Sequence, residues 1–137
     1  MKKNQKGFTL IELLITISVI GIMAGILYPS FSKVQAKAKT SSAQSSLHAV
    51  QLAIESYQLT NGTYPEGSNI ASAALIDTLI ESGDLTKKPK NPFTGKEYTA
   101  SDSSGQFYYT FDTDSNSYNI TLYGSNNKTA IYTITNI

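Results

Sequence analysis

The sequence predicts an α+β protein: a long N-terminal α-helix, membrane-spanning in its first half, with a C-terminal antiparallel β-sheet packed on its second half. Three observations predict it. Residues 8–28 form an apolar run in which Glu12 is the one charged side chain. Leu47, Val50, Ile54 and Tyr57 then recur at i, i+3, i+7 and i+10, the spacing of a single packed helix face. The last third holds three runs of aromatic and β-branched residues separated by turn residues.

The apolar run comes first. A helix needs ~20 mostly apolar residues to cross a hydrocarbon core of ~30 Å, and residues 8–29 supply them. Thr9, Thr16 and Ser18 are its other polar residues. Lys2, Lys3 and Lys6 precede the run, which predicts a cytoplasmic N-terminus and an outside C-terminus. Lys33, Lys37 and Lys39 follow it and weaken that asymmetry, but the leader lysines and the amino terminus lie tightly against the run. A secretory signal peptide has an apolar middle of ~7–15 residues, shorter than this one and with no place for Glu12. A plain anchor helix explains the length but not the acid. An acidic residue costs ~2.5–3.5 kcal/mol at the centre of a membrane helix and less near its edge. Glu12 therefore calls for a partner, and residues 8–28 contain no cation.

The helix is expected to continue over residues 30–61 as an amphipathic segment, ended by Asn61-Gly62 and Tyr64-Pro65. At ~1.5 Å per residue it would reach ~80 Å. Pro29 lies inside it and predicts a bend. Gly21 and Gly25 each weaken the helix by ~1 kcal/mol relative to Ala, and their Gly-x-x-x-Gly spacing lets membrane helices approach closely.

Residues 62–105 read as a connecting region with a short helix over 71–82, carrying Leu75, Ile76, Leu79 and Ile80 on one side and stopped by Gly83. Lys87, Lys88 and Lys90 follow, readable as a solvated loop or as a docking patch. Asn91-Pro92-Phe93-Thr94-Gly95 is a turn. Residues 106–137 form the sheet, with strands at 106–111, 117–123 and 129–135. Phe107, Tyr109 and Phe111 alternate, as do Tyr118, Ile120 and Leu122, so an antiparallel meander lays one apolar face on the helix stripe. A helix carrying a sheet on its upper half has a lollipop outline.

Composition narrows the function. The 137 residues carry net charge +1; without residues 1–7, eight Lys face ten Asp plus Glu, about −2. That balance gives no strong case for nucleic acid or an anionic surface. The absence of cysteine excludes disulfides and Cys-based metal sites. No nucleophile elbow, P-loop or dinucleotide fingerprint occurs, so no enzyme is predicted. His48, the single histidine, reads as a helix-surface residue. Asn61, Asn119 and Asn127 sit in glycosylation-type triplets that read as turns and strand edges. Asp112-Thr113-Asp114-Ser115-Asn116 places oxygen side chains at alternate positions, a pattern that suits Ca²⁺. Ser117 and Tyr123 occupy the places where a calcium loop has Gly and a bidentate Glu, and Asp and Asn also favour plain hairpins, so both readings stand.

The string Gly7-Phe8-Thr9-Leu10-Ile11-Glu12-Leu13-Leu14 resembles the N-terminal signature of type IV pilins and of the pseudopilins of type II secretion and competence systems. The resemblance fixes the Gly, the Phe, the Glu and the apolar tail together. It implies residues 1–7 as a leader, cleavage between Gly7 and Phe8 by a membrane peptidase, and N-methylation of Phe8 by the same enzyme. It implies a structural filament subunit whose Glu12 pairs with the Phe8 amine of a neighbouring copy; pairing with its own amine is the alternative. It also implies local unwinding between Gly21 and Pro29 in filaments. The implied partners are further copies, minor pilins, the peptidase and methyltransferase, and an assembly platform with its ATPase. The missing cysteines make the chain resemble major pseudopilins or cysteine-free pilins, and residues 91–95 resemble the turn before the sheet of type II major pseudopilins. Those pseudopilins often bind Ca²⁺ in a C-terminal loop. A competence pseudopilin that binds nucleic acid is the alternative function, with a membrane-anchored binding protein behind it.

Overall fold

A computed structural model describes residues 7–136, so Lys2, Lys3 and Lys6 of the expected leader lie outside the described residues. Six elements follow in order: α1 (Leu10–Asn61), β1 (Ile70–Ala71), α2 (Ser72–Glu81), β2 (Phe107–Asp112), β3 (Ser117–Tyr123) and β4 (Ala130–Thr135). The chain divides into two compact units, Met1–Lys37 and Ala38–Ile137.

In the first unit the apolar run is helical from Leu10, and the helix passes through Gly21, Gly25 and Pro29 without interruption. A mid-helix proline removes one backbone hydrogen bond. The stretch between Gly21 and Pro29, expected to unwind in filaments, is helical in this single chain. A Cβ built at Gly21 or Gly25 meets nothing within 4 Å, so this unit itself gives neither glycine a steric reason to be there.

In the second unit α1 buries Ala43, Leu47, Val50, Ala53 and Ile54, with Tyr57 half-buried beside them. The predicted stripe is therefore the packed face. The helix stops where expected: Gly62 takes φ +79° and its N–H bonds the Gln58 carbonyl at 2.8 Å. The sheet is antiparallel in the order β1-β2-β3-β4. Tyr109 faces Ile120 across β2–β3, and Ile120 faces Ile134 across β3–β4. Phe107, Tyr109, Tyr118, Ile120, Leu122 and Ile134 join the α1 stripe and Leu75, Ile76 and Leu79 of α2 in one core.

Four elements differ from the sequence expectation. The sheet has four strands, because Ile70–Ala71 pairs with Tyr109 and Tyr108 as β1. Two residues are too few to show a period of two, so β1 is set by its partner and not by its own pattern. Helix α2 is one residue shorter at each end than expected. Strand β2 begins at Phe107 and β4 at Ala130, one residue late in each case.

Polar residues close the loops. Asn91, Ser72 and Gln106 are buried. Asn91 Nδ2 donates to the Asp102 carboxylate at 3.0 Å and the Ser104 carbonyl at 2.8 Å. Gln106 Nε2 donates to the Thr99 carbonyl at 2.7 Å, and the Ser72 hydroxyl donates to Gln106 Oε1. Asn127 bonds the Gln106 N–H through Oδ1 and donates from Nδ2 to the Asp102 carbonyl. Gly105 sits among them at φ +70°, and a Cβ there would meet Asn91 Oδ1 and Phe93 Cδ2, both at 2.5 Å. Burial without partners would be costly for these amides, and each has them.

Candidate processing and assembly site

The sequence-predicted residues Gly7, Phe8 and Glu12 lie at the start of α1. Gly7, Phe8 and Thr9 are not helical, and all three are exposed. The Gly7–Phe8 bond thus lies in exposed, non-helical chain next to the helix. A Cβ at Gly7 would meet nothing within 4 Å among the described residues. No described neighbour requires glycine there on steric grounds.

Glu12 is held by Thr9. Its Oε2 accepts the Thr9 backbone N–H at 2.8 Å and the Thr9 hydroxyl at 2.6 Å. Thr9 Oγ1 in turn accepts the Glu12 N–H at 3.3 Å. Thr9 is the residue before the helix and Glu12 its third residue. This is a reciprocal capping box, which satisfies two N–H groups that a helix start leaves unpaired. In the sequence Thr9 stands as a polar residue of the run and a member of the N-terminal string, with no role of its own. The signal that would have found its role is the Thr-x-x-Glu spacing ahead of an apolar stretch.

From Phe8 to Val34 every large apolar side chain is uncovered, at 49–81% exposed. A soluble protein rarely leaves so large a patch open, so this face is made to be covered by lipid or protein. Leu10–Asn61 is the one helix among the described residues that is long and apolar enough to cross a membrane.

The other candidates occupy the second unit. Asp112, Asp114 and Asn116 fall in the β2–β3 turn. Asp112 Oδ1 accepts the Asp114 N–H at 3.0 Å and Oδ2 the Ser115 hydroxyl at 2.8 Å, while Asn116 takes φ +49°. The Ser115 hydroxyl, then the turn N–H, hold the Asp112 carboxyl below its usual range. Calcium needs ~6–8 oxygens. Among the described residues no three His, Cys, Asp or Glu side chains group as a metal site, and both Asp112 oxygens already serve the turn. His48 bonds Gln51 Oε1 at 3.2 Å and the Tyr132 hydroxyl at 3.3 Å, and it is exposed, in keeping with a helix-surface residue. Lys88 pairs with Asp77, and both are exposed. Of the aromatics, Phe107 and Tyr109 are core residues. Glu55, on α1, accepts the hydroxyls of Tyr64 and Tyr118 and so ties the helix to the sheet.

Comparison with known proteins agrees with both ends of this description. Residues 2–28 match the family described as the prokaryotic N-terminal methylation motif. Residues 31–133 match the family described as type II secretion system protein G. The chain is similar to the type IV major pilin protein PilE1 of Neisseria gonorrhoeae, 38% identical over 107 residues, 71% of this chain and 59% of the relative. It is similar to the type II secretion system core protein G of Dickeya chrysanthemi, 30% identical over 98 residues, 72% and 57% of the two chains. It is similar to the type IV major pilin protein PilA of Myxococcus xanthus, 42% identical over 66 residues, 48% and 30%. The chain thus spans less than two thirds of the length of these relatives. No solved structure matches it.

Proposed function

The chain belongs to the type IV pilin and type II secretion pseudopilin family of structural subunits, and from that membership we propose that it is the repeating subunit of a filament, made as a prepilin. A prepilin peptidase cuts between Gly7 and Phe8, removes Lys2, Lys3 and Lys6 with the leader, and methylates the new Phe8 amine. The subunit waits in the cytoplasmic membrane with its N-terminus inside and its C-terminus outside. A platform protein and its ATPase then draw it into a helical polymer on minor pilins. The observation that carries this reading is the uncovered apolar face from Phe8 to Val34. Lipid covers such a face in storage and other copies cover it in a filament. The open sides of Gly21 and Gly25 suit close helix approach in the second setting.

Glu12 then sets the register. Cleavage creates an ammonium at Phe8. Within an apolar core, an ammonium and a carboxylate are each costly alone and strongly attracted together. Pairing Glu12 with the Phe8 amine of a neighbour fixes the axial step. Glu12→Ala should insert and be cleaved normally, because losing an acid lowers the insertion cost. It should form few or no filaments. Membrane abundance and sheared filament, measured in the same cells, decide this. Wild-type assembly by Glu12→Ala would overturn the pairing. Glu12→Asp keeps the charge and shortens the reach, so a partial defect is expected.

The competence reading, with nucleic acid as a partner, draws on Lys87, Lys88 and Lys90 alone. The Lys88–Asp77 pair cancels part of that charge. Calcium at Asp112, Asp114 and Asn116 is a second proposal, supported by three oxygen side chains on one turn. Each Asp112 oxygen accepts one turn bond and keeps a further lone pair for a cation. Millimolar Ca²⁺ added to the chelated, detergent-solubilised chain should then raise Tm, since a ligand of the native state alone stabilises it. Asp112→Ala should abolish the rise. No rise leaves the turn a hydrogen-bonded hairpin.

A further inference from the structure

Thr9 and Glu12 divide the carboxylate between two tasks. Both bonds from Thr9 fall on Oε2, and Oε1 takes no part in the box. The box also supplies an acceptor for the Glu12 N–H and another for the Thr9 N–H. Wherever the helix start enters the hydrocarbon layer no water satisfies those groups, so an in-chain partner matters more than it would on a soluble helix. A carboxylate at a helix N-terminus is also favoured by the helix dipole. Glu12 therefore has a structural role before any amine exists at residue 8.

We infer that Thr9 is a positioning residue for Glu12: its box clasps the carboxylate through Oε2 in the membrane-stored subunit and leaves Oε1 as the oxygen that receives an ammonium. The clasp needs nothing outside the chain. The ammonium clause rests on the pairing proposed above. A carboxylate offers about four lone-pair sites, so the clasp and an ion pair coexist and assembly need not break the box. Thr9 is then the residue that makes an acid tolerable in the stored helix and presents it in one orientation to the next copy.

Thr9→Val and Thr9→Ser separate this role from mere shape. Valine keeps the branched volume and removes the hydroxyl, whereas serine keeps the hydroxyl. In cells without prepilin peptidase, the full-length precursor carries no amine at Phe8, so its membrane half-life reports the clasp alone. Thr9→Val should shorten that half-life about fivefold, the size of a lost cap. Thr9→Ser should stay near wild type, and the fall should shrink clearly when Glu12→Ala is added. An unchanged half-life, serine behaving as valine, or an equal fall without Glu12 would each overturn the clasp. In peptidase-competent cells, Thr9→Val should also give several-fold less filament per cleaved subunit, again rescued by serine. Wild-type filament yield from cleaved Thr9→Val would overturn the orienting role. If Glu12→Ala itself assembles normally, the pairing and the ammonium clause fall, while the precursor measurement still decides the clasp.

Discussion

Gly7 has a proposed role in processing and no steric role in the fold. Nothing within 4 Å would meet a Cβ there. Gly7→Val should therefore leave the helix and its membrane insertion as they are, and still give an uncut precursor, because the proposed demand for glycine comes from the peptidase. Intact-mass measurement of the membrane-extracted chain checks this. A mature N-terminus at Phe8 in the variant, or near Ala38 in the natural chain, would sink the processing reading. The string that holds Gly7, Phe8 and Glu12 is legible in the sequence as a family motif, because such a motif lies in order and spacing. Thr9 was not recognised, because a Thr in an apolar run says little until its hydroxyl is seen between the two ends of the box.

The α1 helix illustrates what one element can hide and reveal. Ile54 is buried at 0% exposure, whereas Leu52, two residues earlier on the same helix, is 71% exposed. Ile54→Ala in the purified full-length chain should cost ~2–5 kcal/mol, read as a lowered denaturation midpoint. Leu52→Ala should stay within about 0.5 kcal/mol in the single chain. Equal effects at the two sites would mean that α1 packs on another face. The i, i+3, i+7 stripe made this face readable in advance, as did the alternation in β2 and β3. Strand β1 was not readable, since its extended state is imposed by pairing with Tyr108 and Tyr109. The amide network around Asn91 and Gln106 was equally hidden, as buried Asn and Gln look in sequence like loop polar residues.

At the scale of the molecule, the second unit's aromatic core sets its response to alkali. Burial, and then the nearby Asp102 charge, push the Tyr98 phenol up to about 12. Burial is also the first cause that raises Tyr109 and Tyr118, where the Glu55 charge adds to it. An unfolded tyrosine ionises near ~10. A group whose folded pKa is raised contributes stability that is complete below the unfolded value and is lost as pH climbs toward the folded one. The detergent-solubilised chain should therefore hold its Tm between about pH 7 and 9 and lose it progressively above ~10. Tyrosinate absorbance should rise in two stages, the exposed phenols first and the core phenols together with unfolding. A single smooth rise near ~10 without loss of structure would contradict the buried core.

The linear sequence by itself determined the long helix with its apolar run and its acid, the packed stripe of α1 and the three longer strands. Each is a pattern of neighbours along the chain, and periods of 3.6 and 2 or a fixed spacing survive without a fold. Only the tertiary structure decided the fourth strand, the burial of Asn91, Ser72 and Gln106, the glycine demanded at Gly105, and the clamp of Tyr64 and Tyr118 on Glu55. These depend on residues far apart in sequence, Glu55 and Tyr118 among them. The physical reason is that partner satisfaction is a property of closure. A buried amide or phenol is stable only where the rest of the chain brings it a donor or an acceptor, and no local spacing records which one arrives.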